Sequence, residues 1–288
     1  MIFLRFFSIL PFSWRSSIGW VIGWLFGCLP LREPRMAEKQ LERFLRVDNA
    51  KKLTRGVFAH IGRVAAESAD LTPAMTQNLA QLRDADNALI NELLQERRPV
   101  LALTAHFGNW ELMAATIASF GREIVTVGRE LRYAPLQRFI AHNRAKAMVR
   151  TIWRGGVAGQ KDLIRAMKTG NVVAALIDQD TRVHAESAQF FGYHVATPSS
   201  MIDMALRHKA RIVTAFNYRT VDGGYIIEVE EILTSQDVLS IIDVYHQRLE
   251  DVIRRHPEQW VWFHKRWRTL ADGRRLSSEE YLELLSNA

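Results

Sequence analysis

His106 and Glu111 are the residues of this chain best suited by type and spacing to acid–base chemistry. An imidazole beside a carboxylate can act as a general base, the carboxylate orienting the ring and stabilising its cation. On one continuous helix the two would lie about 140° apart and would not meet. They meet if His106 precedes the helix and the chain bends at Gly108. A carboxylate near a helix start is also favoured by the helix dipole. The same residues are compatible with a buried histidine satisfied by a backbone carbonyl, so spacing alone leaves both readings open.

The surrounding sequence supplies elements that would hold such a pair. Val100–Thr104 is an aliphatic run that reads as a buried strand, and Trp110–Phe120 reads as a buried helix. His106, Phe107, Gly108 and Asn109 form the turn between them. Asp178 and Asp180 follow a second apolar strand, Asn171–Ile177. The carboxyl ends of strands line the ligand crevice in open α/β sheets, so these acids and His106 can face one cleft. Capping a turn is the simpler role for Asp180. Arg129 and Arg144 lie between the two strands, and a guanidinium offers a planar donor fork for phosphate. His106, Glu111, Asp178 and Asp180 also have the residue types of a metal site.

The stretch His106-Phe107-Gly108-Asn109-Trp110-Glu111 resembles the H-x4-[DE] motif of glycerolipid acyltransferases. In its fuller form, H-x-G-N-W-E, it is similar to the late acyltransferases of lipid A biosynthesis. Asp178-Gln179-Asp180, Phe190-Phe191-Gly192 with Ala196-Thr197-Pro198, and Trp262 to Thr269 resemble further motifs of that family, in order and over roughly residues 15 to 270. The resemblance implies an O-acyltransferase that takes a fatty acyl chain from an acyl carrier protein thioester, with coenzyme A thioester as second choice. The implied acceptor is a hydroxyl of a lipid A precursor or related glycolipid. His106 and Glu111 are the implied catalytic pair. Arg144, Asp178, Asn109, Arg129 and Asp180 are the implied substrate-binding set. No metal or other cofactor is expected, because the histidine motif already has a metal-free explanation. The sequence departs from the family at Val127-Gly128-Arg129-Glu130, at Ser187-Ala188-Gln189, and after Arg144-Ala145-Lys146-Ala147, where the family often has R-x-x-x-G and this chain lacks the glycine. These departures keep an amino-lipid or lysophospholipid acceptor open, and also a noncatalytic lipid-binding homologue.

The net charge of +7 points to an anionic partner. Anionic lipid, phosphorylated glycolipid and an acidic carrier protein fit; nucleic acid is set aside for lack of a motif. The single Cys28 excludes an internal disulfide and a Cys-rich zinc site. Residues 1–31 carry charge only at Arg5 and Arg15 and read as a membrane anchor, spanning or interfacial. Trp14, Trp20 and Trp24 suit headgroup level, and the arginines and lysines that follow place that flank on the cytoplasmic side; the family resemblance implies that the membrane is a bacterial inner membrane. Eight Lys/Arg lie between Arg32 and Arg55, and seven between Arg254 and Arg275, which suggests a basic collar for the carrier protein.

Residues 32–288 then form the acyltransferase domain. Residues 36–98 read as helices, with a break at Thr72-Pro73. Beyond Pro99, strands and helices alternate, with a hairpin signal at Asp222-Gly223-Gly224 and a helix starting at Pro198 behind a Thr197 cap. The expected fold class is α/β: a glycerolipid-acyltransferase-like sheet flanked by helices, with an N-terminal membrane helix.

Overall fold

The computed structural model describes the chain apart from residues 1–6, 73–78, 131–132, 155, 182–183, 234–236 and 287–288. The first six residues of the expected anchor, and Pro73 of the expected break, lie outside the described residues. The amino-terminal part is helical: α1 (Phe12–Cys28), α2 (Arg32–Gln40) and α3 (Ala50–Glu67), with a π-helical turn at Leu41–Leu45 after α2. Short strand β1 (Ala80–Leu82) and α4 (Asn87–Gln95) lead into the alternating part. There β2 (Val100–Thr104), α5 (Trp110–Ala118), β3 (Ile124–Arg129), α6 (Ala134–Lys146), β4 (Val149–Arg154), α7 (Gly156–Lys168) and β5 (Val172–Leu176) follow one another. A separate hairpin, β6 (Ala185–Phe190) with β7 (Tyr193–Pro198), precedes α8 (Ser200–Arg207). The chain closes with β8 (Arg211–Arg219), β9 (Tyr225–Glu231), α9 (Val238–Arg255) and α10 (Ser278–Ser286).

Among the described residues, seven strands form one sheet in the order β1-β9-β8-β2-β5-β3-β4. Every neighbouring pair is parallel except β8 with β9. The middle strands carry no polar alternation because helices cover both faces; all of β2 is buried. Leu101, Leu103, Val125 and Val173 pack to one side with α9 and the carboxy-terminal tryptophans. Val100, Ala102, Ile124 and Val172 pack to the other with Leu112, Met113 and Ala115 of α5. Trp262 and Trp267 are 0% and 3% exposed, so the aromatic–basic segment contributes to the core through its rings. Mixed α/β order with a mostly parallel, helix-flanked sheet is as expected.

Four points differ from the sequence reading, the first being that residues 36–98 are not all helical, since β1 lies within them. Strand β4 does not stand out in the sequence because Arg150 and Arg154 interrupt its apolar residues, as charges on an edge strand do. Thr197 is no helix cap: it sits in β7, and its hydroxyl accepts from Arg266 Nη2 at 2.6 Å. The helix starts two residues later than expected, at Ser200, since Pro198 is tolerated at the end of an edge strand. Finally, among the described residues no helix is long and apolar enough to cross a membrane. The spanning form of the amino-terminal expectation therefore has no support.

Helix α1 is nevertheless unusual. Its Gly19, Gly23 and Gly27 are buried against α3, and a Cβ on Gly23 would stand 2.0 Å from the Phe58 carbonyl oxygen. The small residues let the two backbones touch. The opposite side of α1 presents Trp20, Val21, Trp24 and Leu25 to the outside, between 37% and 54% exposed.

Candidate active site

Parallel register brings the central pair together. Thr104 of β2 lies beside Leu176 of β5, so the residues two further along each strand end, His106 and Asp178, are neighbours. Asp178 Oδ1 accepts from His106 Nδ1 at 2.9 Å, and Oδ2 accepts from the His106 backbone N–H at 2.9 Å and from Trp260 Nε1 at 3.0 Å. The carboxylate is fully buried while the imidazole is about a quarter exposed. Burial alone would raise the Asp178 pKa. The adjacent His106, the hydrogen bonds from its ring and backbone, and His264 reverse this and hold the group well below the usual carboxylate range. Asp178 therefore stays ionised and fixes the ring tautomer, with Nδ1 protonated and Nε2 able to accept.

Glu111 does not hold the imidazole. Among the described hydrogen bonds its carboxylate takes a two-pronged contact from Arg144, Nε to Oε2 at 2.8 Å and Nη2 to Oε1 at 2.5 Å, and a third from Trp110 Nε1 at 3.2 Å. The physical reason is the helix start. Asn109 caps α5, accepting from the Leu112 N–H at 3.0 Å, and Glu111 lies in the first turn beyond it. From there it meets α6 and the inner side of β3 and β4, where Arg144 also donates to Thr151 at 2.7 Å. Burial would weaken the hold of Arg144 on its proton, but the Glu111 charge and hydrogen bond more than offset it and raise its pKa.

His106 opens into a cleft of about 910 Å³ lined also by Trp110, Arg129, Arg144, Gln179, Asp180, Arg268 and Arg275. Of the expected site residues, His106, Arg129, Arg144 and Asp180 share this cleft, and Asp178 and Glu111 hold members of it from behind. Asp180 accepts from Thr269 Oγ1 at 2.6 Å and pairs with Arg275 at 2.6 Å, so it anchors the carboxy-terminal segment. Asn109 is fully buried and does not line the cleft. Of the expected basic collar, Arg268 and Arg275 line the cleft. Arg254 pairs with Glu250, Arg255 with Glu228 and Asp251, and Arg274 with Glu280, and none of the three lines the cleft.

Sequence reasoning missed three residues beside the imidazole. Gln179 places its side-chain nitrogen 3.0 Å from His106 Nδ1, 3.3 Å from His106 Nε2 and 3.2 Å from His264 Nε2; Trp260 supports Asp178. His264 and Gln179 both lie inside family-like motifs, which was the available signal. His106, Asp178 and His264 bring one donor atom each within 4.8 Å, the distance scale of a metal cluster. Both Asp178 oxygens are already engaged by donors, and Glu111 and Asp180 are committed to arginines, so the four-residue metal set does not converge.

The turn itself is fastened from below by His60 of α3, whose Nε2 lies 3.0 Å from the Gly108 carbonyl oxygen. Burial lowers the His60 pKa to about 4. An unfolded histidine binds a proton near 6.5, so stability is complete above that value and is lost as pH falls toward 4, by roughly 3 kcal/mol from His60 alone. Melting temperature should drop steeply between about pH 6.5 and 4, and His60→Gln, which can donate to Gly108 without titrating, should flatten the curve. An unchanged slope in His60→Gln would show that other groups control acid unfolding.

The family model described as bacterial lipid A biosynthesis acyltransferase matches residues 1–269. The chain belongs to this acyltransferase family. No curated protein matches the chain.

Proposed function

We propose that this protein transfers a fatty acyl group from an acyl thioester, with acyl carrier protein as the donor, to a hydroxyl of a lipid A precursor or related glycolipid. One observation carries the reading: an imidazole held by a buried, ionised Asp178 through Nδ1, with its other side toward an arginine-lined cleft. His106 Nε2 takes the proton of the acceptor hydroxyl as that oxygen attacks the thioester carbonyl. Asp178 stabilises the imidazolium, and the thiol leaves with the proton as the tetrahedral intermediate collapses. Glu111 acts one step removed, fixing Arg144 at the cleft wall. Arg129, Arg144, Arg268 and Arg275 suit the phosphates of an anionic headgroup or the developing oxyanion. The assay is incubation of purified protein with carrier-linked or coenzyme A-linked acyl donor and the lipid acceptor in mixed micelles. A product heavier by one acyl chain supports the reading, and thioester consumption without acylated lipid counts against it.

The acceptor is held in a lipid phase, and the exposed face of α1 supports docking there. The helix lies in the interface with Trp20, Val21, Trp24 and Leu25 inserted, at the cytoplasmic face of the bacterial inner membrane. Apolar insertion is insensitive to salt, unlike purely electrostatic attachment. Protein bound to anionic vesicles should therefore stay bound at about 1 M salt, and Trp24→Glu with Leu25→Glu should release most of it. Release of the unaltered protein by salt alone would assign attachment to the basic residues instead.

A further inference from the structure

The His106 turn rests on a buried carboxylate that the acyl-transfer chemistry itself does not use. Glu67, the last residue of α3, is 2% exposed. Three donors converge on it: Asn109 Nδ2 at 2.9 Å, Tyr225 Oη at 2.7 Å and Arg219 Nη1 at 2.8 Å. It thereby joins α3, β8 and β9 to the residue that begins α5. Asn109 is engaged at every polar group of its side chain and carbonyl. Its Oδ1 caps the Leu112 N–H, its Nδ2 donates to Glu67, and its backbone oxygen accepts from Asn217 Nδ2 at 3.0 Å. The preceding Gly108 has φ +59°, and a Cβ there would stand 1.8 Å from the Asn217 carbonyl oxygen. The turn has no slack on that side, so its orientation depends on what Glu67 does with Asn109.

We infer that Glu67 is a positioning residue for the acyl-transfer site, acting through Asn109 to set the turn that carries His106 at one end and Glu111 at the other. The inference rests on the acyl-transfer reading above. A buried carboxylate with one partner removed is strongly destabilising, whereas one with all its donors satisfied holds several elements in a single arrangement. A displacement of about 1 Å at a reacting group can lower rate by roughly 100-fold, which is why the anchoring of this turn matters for rate.

The test uses a near-isosteric pair. In Glu67→Gln, the charged Arg219 keeps the remaining carbonyl, so the amide N–H₂ takes the Oε2 position and faces the Asn109 and Tyr225 donors that share it. Combining it with Asn109→Asp reverses the polarity. The amide introduced at position 67 then donates to the carboxylate introduced at position 109, whose second oxygen still caps Leu112. The carbonyl of that amide remains for Arg219, and the Tyr225 hydroxyl, which shares the other position with residue 109, accepts from the second N–H of the amide. Glu67→Gln should lower kcat by about 10- to 100-fold with KM for donor and acceptor within about twofold, and the double variant should recover most of the loss. Amide hydrogen exchange gives a readout independent of activity. Leu112 and Met113 at the α5 start should lose protection in Glu67→Gln and regain it in the double variant. Unaltered kcat and unaltered exchange in a folded Glu67→Gln protein overturn the inference. So does a loss that the double variant fails to repair while it melts like wild type. If Glu67→Gln does not fold, the double variant carries the test by the same two readouts. If the wild type transfers no acyl group, the functional reading fails, and the exchange experiment still decides whether Glu67 sets this turn.

Discussion

His106→Ala is expected to lower acyl transfer by about 10²–10⁴-fold, the range for loss of a general base. The protein should stay folded. The His106 backbone keeps its bond to Asp178 and accepts from the Val261 N–H at 3.2 Å, and Asp178 keeps Trp260. The side chain removed is partly exposed, so the cavity left is open to water and not a void in the core. His106→Gln is the companion variant, since its amide can donate to Asp178 without serving as a base. Acyl transfer should be equally low in both, with melting temperatures near wild type. Turnover at wild-type rate in either purified variant would remove His106 from the mechanism.

Asp178→Asn has the second large effect, and its direction distinguishes Asp178 from Glu111 as the partner of the imidazole. The amide introduced by this change can present its oxygen to the His106 backbone N–H and Trp260, which turns its NH₂ toward Nδ1. The ring then accepts at Nδ1 and carries its proton on Nε2, so it cannot take a proton from the acceptor hydroxyl. A wrong tautomer in a comparable histidine–carboxylate pair lowers kcat by roughly 10⁴-fold. Glu111→Gln should act less directly, by loosening Arg144, and its loss should include a weaker grip on substrate. kcat measured for the two variants separates these roles. A larger kcat loss in Glu111→Gln than in Asp178→Asn would return the orienting role to Glu111.

Much of this site can be read from sequence, because it is built from strand ends. The aliphatic runs before His106 and before Asp178 read as buried parallel strands, and two such strands present their following residues at one edge of the sheet. That was sufficient to bring the histidine and the aspartate to the same edge of the sheet. It was insufficient to pair them, since strand register is set by contacts across the sheet and not by either segment alone. The short-range His106–Glu111 spacing does not become a hydrogen-bonded pair among the described residues for this reason: Asn109 caps the helix, and the first turn directs Glu111 toward Arg144. Arg144 was identified by residue type, but its partner lies 33 positions away in sequence. Glu67 and His60 were illegible. Each is one polar residue on an otherwise amphipathic helix, and only the packing of α3 beneath the turn gives them a purpose.

Gly19, Gly23 and Gly27 show the same limit in another form. The uncharged run around them suggested a membrane segment, and composition could not separate a spanning helix from one that packs a glycine edge on α3 and leaves its other side exposed. The glycine spacing was the available signal, since close helix approach needs small residues at every fourth position.

The central claim is that the protein adds one acyl chain to a membrane glycolipid by base catalysis at His106. Mass spectrometry of total glycolipid from bacterial cells that lack the gene, and from the same cells making either wild-type protein or His106→Ala, tests it most directly. The account predicts one glycolipid species heavier by a single acyl chain with wild type, absent both without the protein and with His106→Ala present in equal amount. The same heavier species in cells making His106→Ala, or no mass change with wild type, would contradict it.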